Sequence, residues 1–154
     1  MTKRNLDVII IGPAYPYRGG ISNTNHEFSK ALKKEGYENI IITFKTLYPA
    51  FLFPGKNQYT KEVISEKTSI ERHISSYNPI TWIKTARKIN NLNPKIILFR
   101  YYTPFLSPSY SAISKMINNK IKKIALVDNW IPHEKMPLDR FLNKLFAKQV
   151  SFFV

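Results

Sequence analysis

The chain has 154 residues, 44% of them hydrophobic and 22% charged, a globular composition of a length that suits one domain. It contains no cysteine, which excludes disulfides and thiolate metal sites and fits a reducing compartment. The formal net charge of +14 favours anionic partners such as nucleic acid, anionic lipid or phosphorylated substrates, and says nothing about fold.

Met1 to Asp7 offer neither the long apolar stretch nor the cleavage site of a signal peptide, and no apolar run approaches the roughly 20 residues that span a bilayer. A cytoplasmic protein is expected, with peripheral attachment to the inner face of the membrane as an option. The first strand is expected at Val8–Ile11, followed by the turn Gly12 to Ser22. Residues 22–35 predict a helix with Phe28, Ala31 and Leu32 on one face and Gly36 as its stop. Ile40–Ile42 reads as the next strand. Residues 45–67 break the pattern with an apolar, aromatic loop from Leu47 to Gly55, and a short strand follows over Thr68 to Ile74. A helix is expected over 80–91, with Ile80, Ile83 and Ala86 spaced for one face and Asn93-Pro94 ending it. Ile96–Phe99 is a strand, 105–118 a weaker helix and Ile124–Val127 a strand. Residues 137–148 form the clearest helix: Pro137 suits the first turn, Asp139 complements the dipole, and Leu138, Phe141, Leu142, Leu145 and Phe146 make a stripe. Val150–Val154 reads as a further buried strand with no turn or helix after it, so the chain is read as stopping inside a longer protein.

The strand runs lack period-two alternation, as strands buried on both faces do. Their alternation with helices predicts an α/β fold: a doubly wound, mostly parallel Rossmann-like sheet with helices on both faces. No repeat and no internal domain boundary is evident.

In such sheets ligands bind outside the carboxyl ends of the strands, so the strand-end loops are the places to look for chemistry. The first holds Tyr17, Arg18, Gly19 and Gly20 just ahead of a helix, where glycine lets a ligand approach and free N–H groups favour phosphate. It lacks the G-x-G-x-x-G spacing of dinucleotide sites and is not a P-loop. The second is Asp128-Asn129-Trp130-Ile131-Pro132-His133-Glu134, where His133 lies between two carboxylates. The third carries Arg100, suited equally to an anionic acceptor or to a salt bridge at the sheet rim. His26 and His73 read as surface or packing residues. No D-x-D pair and no ligand spacing among three histidines supports a metal. Between Glu71 and Asp128 there is no acid and there are ten Lys or Arg residues, so that stretch, together with the loop 47–55, is a candidate for contact with an anionic membrane.

The order of strand, Pro-rich turn, Gly19-Gly20-Ile21, helix, and Gly36 before Tyr37 and a second strand resembles glycosyltransferase family four. The segment Leu126 to Glu134 also looks like that family's histidine-bearing loop. The resemblance runs from about Asp7 to Val154. It implies one half of a GT-B fold, in which two Rossmann-like domains face each other across a cleft. Residues 1–154 would then be the N-terminal, acceptor-side domain, incomplete at its C-terminus, with the donor-binding C-terminal domain absent. The implied reaction is retaining and metal-independent transfer from a nucleotide-sugar donor to a glycan or lipid-linked acceptor, with no cofactor besides the donor. By carry-over Gly19 and Gly20 contact the donor phosphates or the reacting sugar. His133, the catalytic candidate, hydrogen-bonds a donor-sugar hydroxyl. Tyr17, Arg18, Arg100, Asp128 and Glu134 are candidates for acceptor contact or the site rim. The family's paired glutamates, seven residues apart, belong to the C-terminal domain; Glu27 and Glu35 have the spacing but lie on the first helix. The competing readings are a non-catalytic subunit that binds or recruits an acceptor, and a basic nucleic-acid-binding α/β domain. The latter is weakened by the lack of zinc-finger spacing and of an aromatic RNA-binding signature.

Overall fold

A computed structural model describes residues 6–49, 59, 68–130 and 136–154. Among them are six strands: β1 (Val8–Ile11), β2 (Asn39–Thr46), β3 (Ile70–Ser75), β4 (Ile96–Tyr101), β5 (Lys122–Val127) and β6 (Phe152–Phe153). They form one parallel sheet of order β3-β2-β1-β4-β5-β6. The sheet is doubly wound, as the alternation of strand runs and helices predicts, and the winding direction reverses between β1 and β4.

The helices are α1 (Gly20–Lys34), α2 (Pro79–Leu92), α3 (Ser107–Met116, preceded by a 3-10 turn at Pro104–Leu106) and α4 (Asp139–Ala147). Alternate strand residues feed two cores, because successive side chains of a strand point to opposite faces. Ile9, Ile11, Phe99 and Tyr101 pack with Ala86 and Ile89 of α2, Tyr110 and Ile113 of α3, and Phe146 of α4. Val8, Ile10, Ile41 and Leu98 face the other way, toward Leu32 of α1. An aromatic centre ties α4 to the sheet: Phe146 stacks on Tyr101 at 4.6 Å and meets Phe99 edge-on at 5.6 Å.

Three helix faces differ from expectation. In α1 the apolar residues Phe28, Ala31 and Leu32 are exposed or half-buried, while the polar set Ser22, Asn25, His26 and Ser29 is buried. That set recurs at i, i+3, i+4, i+7, and Asn25, His26 and Ser29 serve the backbone and side chains of the neighbouring strand ends. Ser29 donates to Asn39 Oδ1 at 2.6 Å, and Asn39 Nδ2 returns a bond to the Ser29 carbonyl. In α2 Ile80 and Ile83 face solvent, and the inward stripe is Trp82, Thr85, Ala86 and Ile89. In α4 Pro137 precedes the helix, and Leu138 and Phe141 are exposed. The last strand also departs from expectation: β6 is a two-residue edge whose Phe152 and Phe153 are exposed, not a buried strand.

Several connections are built from short-range chemistry. Asn78 caps α2 by accepting from the Ile80 N–H at 3.1 Å, and Pro79 takes the first helical position. Asn93 closes the same helix in the left-handed region, φ 48°, a conformation asparagine tolerates. Lys123, buried in β5, donates to the carbonyls of Ser114 and Ile117 at the end of α3, where a cation complements the helix dipole.

Candidate functional site

The carboxyl edge of the sheet at the β1/β4 reversal is assembled around Gly12. The Gly12 N–H donates to the Ile42 carbonyl. A Cβ on Gly12 would lie 2.7 Å from Arg100 Cβ and 2.9 Å from Asn25 Nδ2, so α1 and β4 approach each other here through the space a side chain would occupy. Asn25 donates to the Pro13 carbonyl at 2.8 Å and accepts from Arg100 Nη1 at 3.4 Å. Arg100 also grips Asp128 through two bonds of 2.5 Å. Its side chain is 9% exposed and that of Asp128 is 29% exposed, so the pair holds a charge that could not otherwise sit under the sheet edge. Of the two roles open to Arg100, the geometry realises the ion pair. Asp128 continues β5 directly, its N–H bonded to the Tyr101 carbonyl, so the two strand-end loops are tied together.

The loop between β1 and α1 is held from below. The Ala14 N–H donates to Thr43 Oγ1, and the Tyr15 N–H donates to His26 Nε2 at 3.1 Å. The peptide Tyr15–Pro16 is cis. His26 is thus a packing residue with a specific task, to accept from the loop. Burial, with help from the Lys30 ammonium, keeps its imidazole below the ordinary range, so the neutral ring that can accept is favoured; Glu27 opposes the shift. Tyr17 is buried: its hydroxyl accepts from the Leu47 N–H, its ring meets Tyr59 at 5.3 Å, and burial pushes its phenol up to about 12.

Above this support Arg18, Gly19 and Gly20 are exposed. Gly19 has φ 132°, a value strained for any side chain, and precedes α1 without a capping side chain. Neither Gly19 nor Gly20 has an atom within 4 Å of where a Cβ would be. The first turn of α1 carries no acid and Gly19 supplies no capping side chain, so no carboxylate of that turn offsets the positive end of the dipole.

The candidate residues therefore divide. Gly19, Gly20 and Arg18 share the open end of α1, while Arg100 and Asp128 form the floor beside it, and Tyr17 is an internal strap. His133 and Glu134 lie outside the described residues, as do Ala50 to Gln58 of the aromatic loop. The strands that carry the two principal loops, β1 and β5, are not neighbours in the sheet. β4 lies between them, placing the loops two strand spacings apart, roughly 9.6 Å. Gly12, Asn25 and His26 were not legible as site residues, although the polar stripe at helical spacing on α1 is a signal of this kind. No group of His, Asp or Glu among the described residues has the arrangement of a metal site.

Fold and loop geometry together define a Rossmann-like α/β domain whose open strand-end loop faces out at the winding reversal. Solved structures share the fold. An alpha-glucosyltransferase in complex with UDP and a 13-mer DNA containing a central A:G mismatch matches 97% of this chain with a TM-score of 0.59 and 10% identity. An alpha-glucosyltransferase in complex with UDP and a 13-mer DNA containing an HMU base matches 96% with a TM-score of 0.58 and 12% identity. The chain spans 37% of the length of each of these proteins. No protein-family model and no curated protein sequence matches it.

Proposed function

We propose that the chain is the N-terminal, acceptor-side domain of a retaining, metal-independent glycosyltransferase of the GT-B type, acting with a second domain that holds most of a nucleotide-sugar donor. The observation that carries the reading is the open start of α1, with exposed Gly19 and Gly20, at the carboxyl edge of a sheet whose fold is shared with UDP-bound alpha-glucosyltransferases.

The chemistry follows from that edge. Departure of a nucleoside diphosphate from a sugar develops negative charge on the phosphate oxygens. Backbone N–H groups fixed before the reaction stabilise that charge without reorganising, which is where such sites gain most of their effect. Gly19 and Gly20 leave room for the diphosphate, and α1 supplies the N–H groups and the dipole. The Gly12, Asn25 and Arg100–Asp128 floor keeps the loop in place. His133 would hydrogen-bond a hydroxyl of the donor sugar from the loop that Asp128 begins. The acceptor is a saccharide or a lipid-linked glycan. A nucleic-acid acceptor is the second reading, favoured by the charge of +14 and by the DNA bound in both solved neighbours.

Thermal unfolding with and without UDP tests the donor reading. With a Kd near 1 mM, about 10 mM UDP stabilises by roughly 1.4 kcal/mol, or about 3–6 °C for a domain of this size. Uridine, lacking phosphate, is expected to give no shift, and Gly20→Val to abolish the UDP effect. An equal shift with uridine, or an undiminished shift in Gly20→Val, contradicts the assignment.

A further inference from the structure

The outer face of α2 is a second surface that the transferase reading does not use. The helix buries Thr85, Ala86 and Ile89 and half-buries Trp82, whose indole N–H is anchored on the Ser75 carbonyl at 2.6 Å. Its orientation is therefore fixed, and Ile80, Ile83, Lys84 and Arg87 form the opposite stripe at i, i+3, i+4, i+7. Ile80 is 61% exposed, Ile83 41%, and Tyr77, one turn before them, 58%. Single exposed apolar residues are ordinary, but two isoleucines beside two cations on one fixed helix face, with exposed Tyr77 in the turn just before it, are not.

The charge around this stripe has one sign. No acid occurs between Glu71 and Asp128. Glu71 is itself bound by Lys88 and His73, and Asp128 by Arg100. Among the described residues Lys84 and Arg87 have no carboxylate partner. Helices of a parallel sheet run antiparallel to the strands, so the first turns of α2, with Tyr77, Ile80 and Ile83, lie toward the carboxyl edge that bears the candidate site.

We infer that the outer face of α2 docks on an anionic lipid bilayer, with Ile80 and Ile83 entering the headgroup boundary, Tyr77 at its level, and Lys84 and Arg87 on anionic headgroups. Charge complementarity selects an anionic partner, and the aliphatic side chains select lipid over nucleic acid. A phosphate backbone would leave two isoleucines against a polar surface, whereas a bilayer takes them in. Docked this way, the carboxyl edge of the sheet comes close to the membrane surface, where a lipid-linked acceptor presents its headgroup. That last point rests on the proposed transferase function; the docking face does not.

The experiment is partition of the 154-residue chain onto vesicles of phosphatidylglycerol and phosphatidylcholine, against vesicles of phosphatidylcholine alone. The chain is expected to bind the anionic vesicles and not the neutral ones. Lys84→Gln/Arg87→Gln should weaken binding about thirtyfold, at about fivefold per cation. Ile80→Ser/Ile83→Ser should weaken it about tenfold or more. All four positions face solvent, so circular dichroism should show an unchanged fold. Because the chain has no cysteine, a single environment-sensitive probe can be attached at Ile83→Cys or, as a control on α1, at exposed Asn23→Cys. A blue shift on anionic vesicles is expected at position 83 and none at position 23. Undiminished partition of either double variant overturns the inference, as does an equal shift at both positions. Tight binding to duplex DNA without vesicle binding overturns it in favour of nucleic acid. No donor is present, so lost vesicle binding with retained UDP stabilisation refutes this inference alone, and the reverse refutes the transferase reading alone.

Discussion

Substituting Gly12 by alanine separates support of the site from the site itself. The added Cβ would sit 2.7 Å from Arg100 Cβ and 2.9 Å from Asn25 Nδ2. Ordinary carbon contacts lie at roughly 3.5–4.0 Å, so each neighbour must retreat by most of an ångström. Neither can do so freely. Arg100 Cβ is fixed to β4, which is paired with β1 over Ile96–Phe99 and with β5 over its whole length, Arg100 included. Asn25 Nδ2 is bonded to the Pro13 carbonyl. Overpacking costs about 1–3 kcal/mol, and losing the Asn25 bond adds about 1 kcal/mol. For a domain of this size the sum corresponds to a fall in Tm of about 5–15 °C. Gly20→Ala is the matched control, since it adds the same methyl in open space on a helical residue and should leave Tm unchanged or slightly raised. Urea and thermal unfolding followed by circular dichroism measure both. A Gly12→Ala chain as stable as the wild type, or a Gly20→Ala chain equally weakened, would refute the reasoning.

Breaking the Arg100–Asp128 pair should be asymmetric: Asp128→Ala strands a guanidinium that is 9% exposed and costs about 2–4 kcal/mol, while Arg100→Met leaves a carboxylate that can turn to water and costs less; equal losses in urea unfolding contradict this. His26 should make the fold acid-sensitive. Its folded pKa lies below the ordinary 6.5, so the unfolded chain binds more protons as pH falls beneath that value, and its contribution, full above about 6.5, is lost toward the lower folded value. Urea unfolding between pH 7.5 and 5 should show a shallower pH slope in His26→Gln, which keeps an acceptor for the Tyr15 N–H; an unchanged slope would remove the histidine from the account. The 154-residue chain by itself is expected to turn over no nucleotide sugar, and release of UDP or sugar from a panel of donors would falsify this. In an enzyme that contains both domains, His133→Ala is expected to lower kcat with little change in Tm, and full activity in that variant would remove the histidine's role.

The strand pattern was readable because parallel strands covered on both faces are continuous apolar runs, as Val8–Ile11 and Ile96–Phe99 are. The helix faces were less readable. On α1 the apolar periodicity pointed to Phe28, Ala31 and Leu32, yet the groups in need of partners were polar ones: the Pro13 carbonyl, the Tyr15 N–H and the Asn39 side chain. Satisfying those groups buried Asn25, His26 and Ser29 instead. On α2 Trp82 and Ile89 took the core, and Ile80 and Ile83 were left outside. Tyr17 shows the same limit, because its place under the loop depends on Leu47 and Tyr59, far away in sequence. The order β1-β4-β5 could not be read from local pattern either, since register and neighbours are set by crossovers.

The central claim is that the start of α1 receives the donor's phosphates, and amide chemical-shift mapping on the isotopically labelled chain during titration with UDP tests it most directly. The account predicts the largest shifts at the N–H groups of Gly19, Gly20 and Ile21, smaller ones along Gly12 to Tyr15, and none at Phe152 and Phe153 on the far edge. Shifts concentrated away from the carboxyl edge of β1, or none at several millimolar UDP, would contradict it.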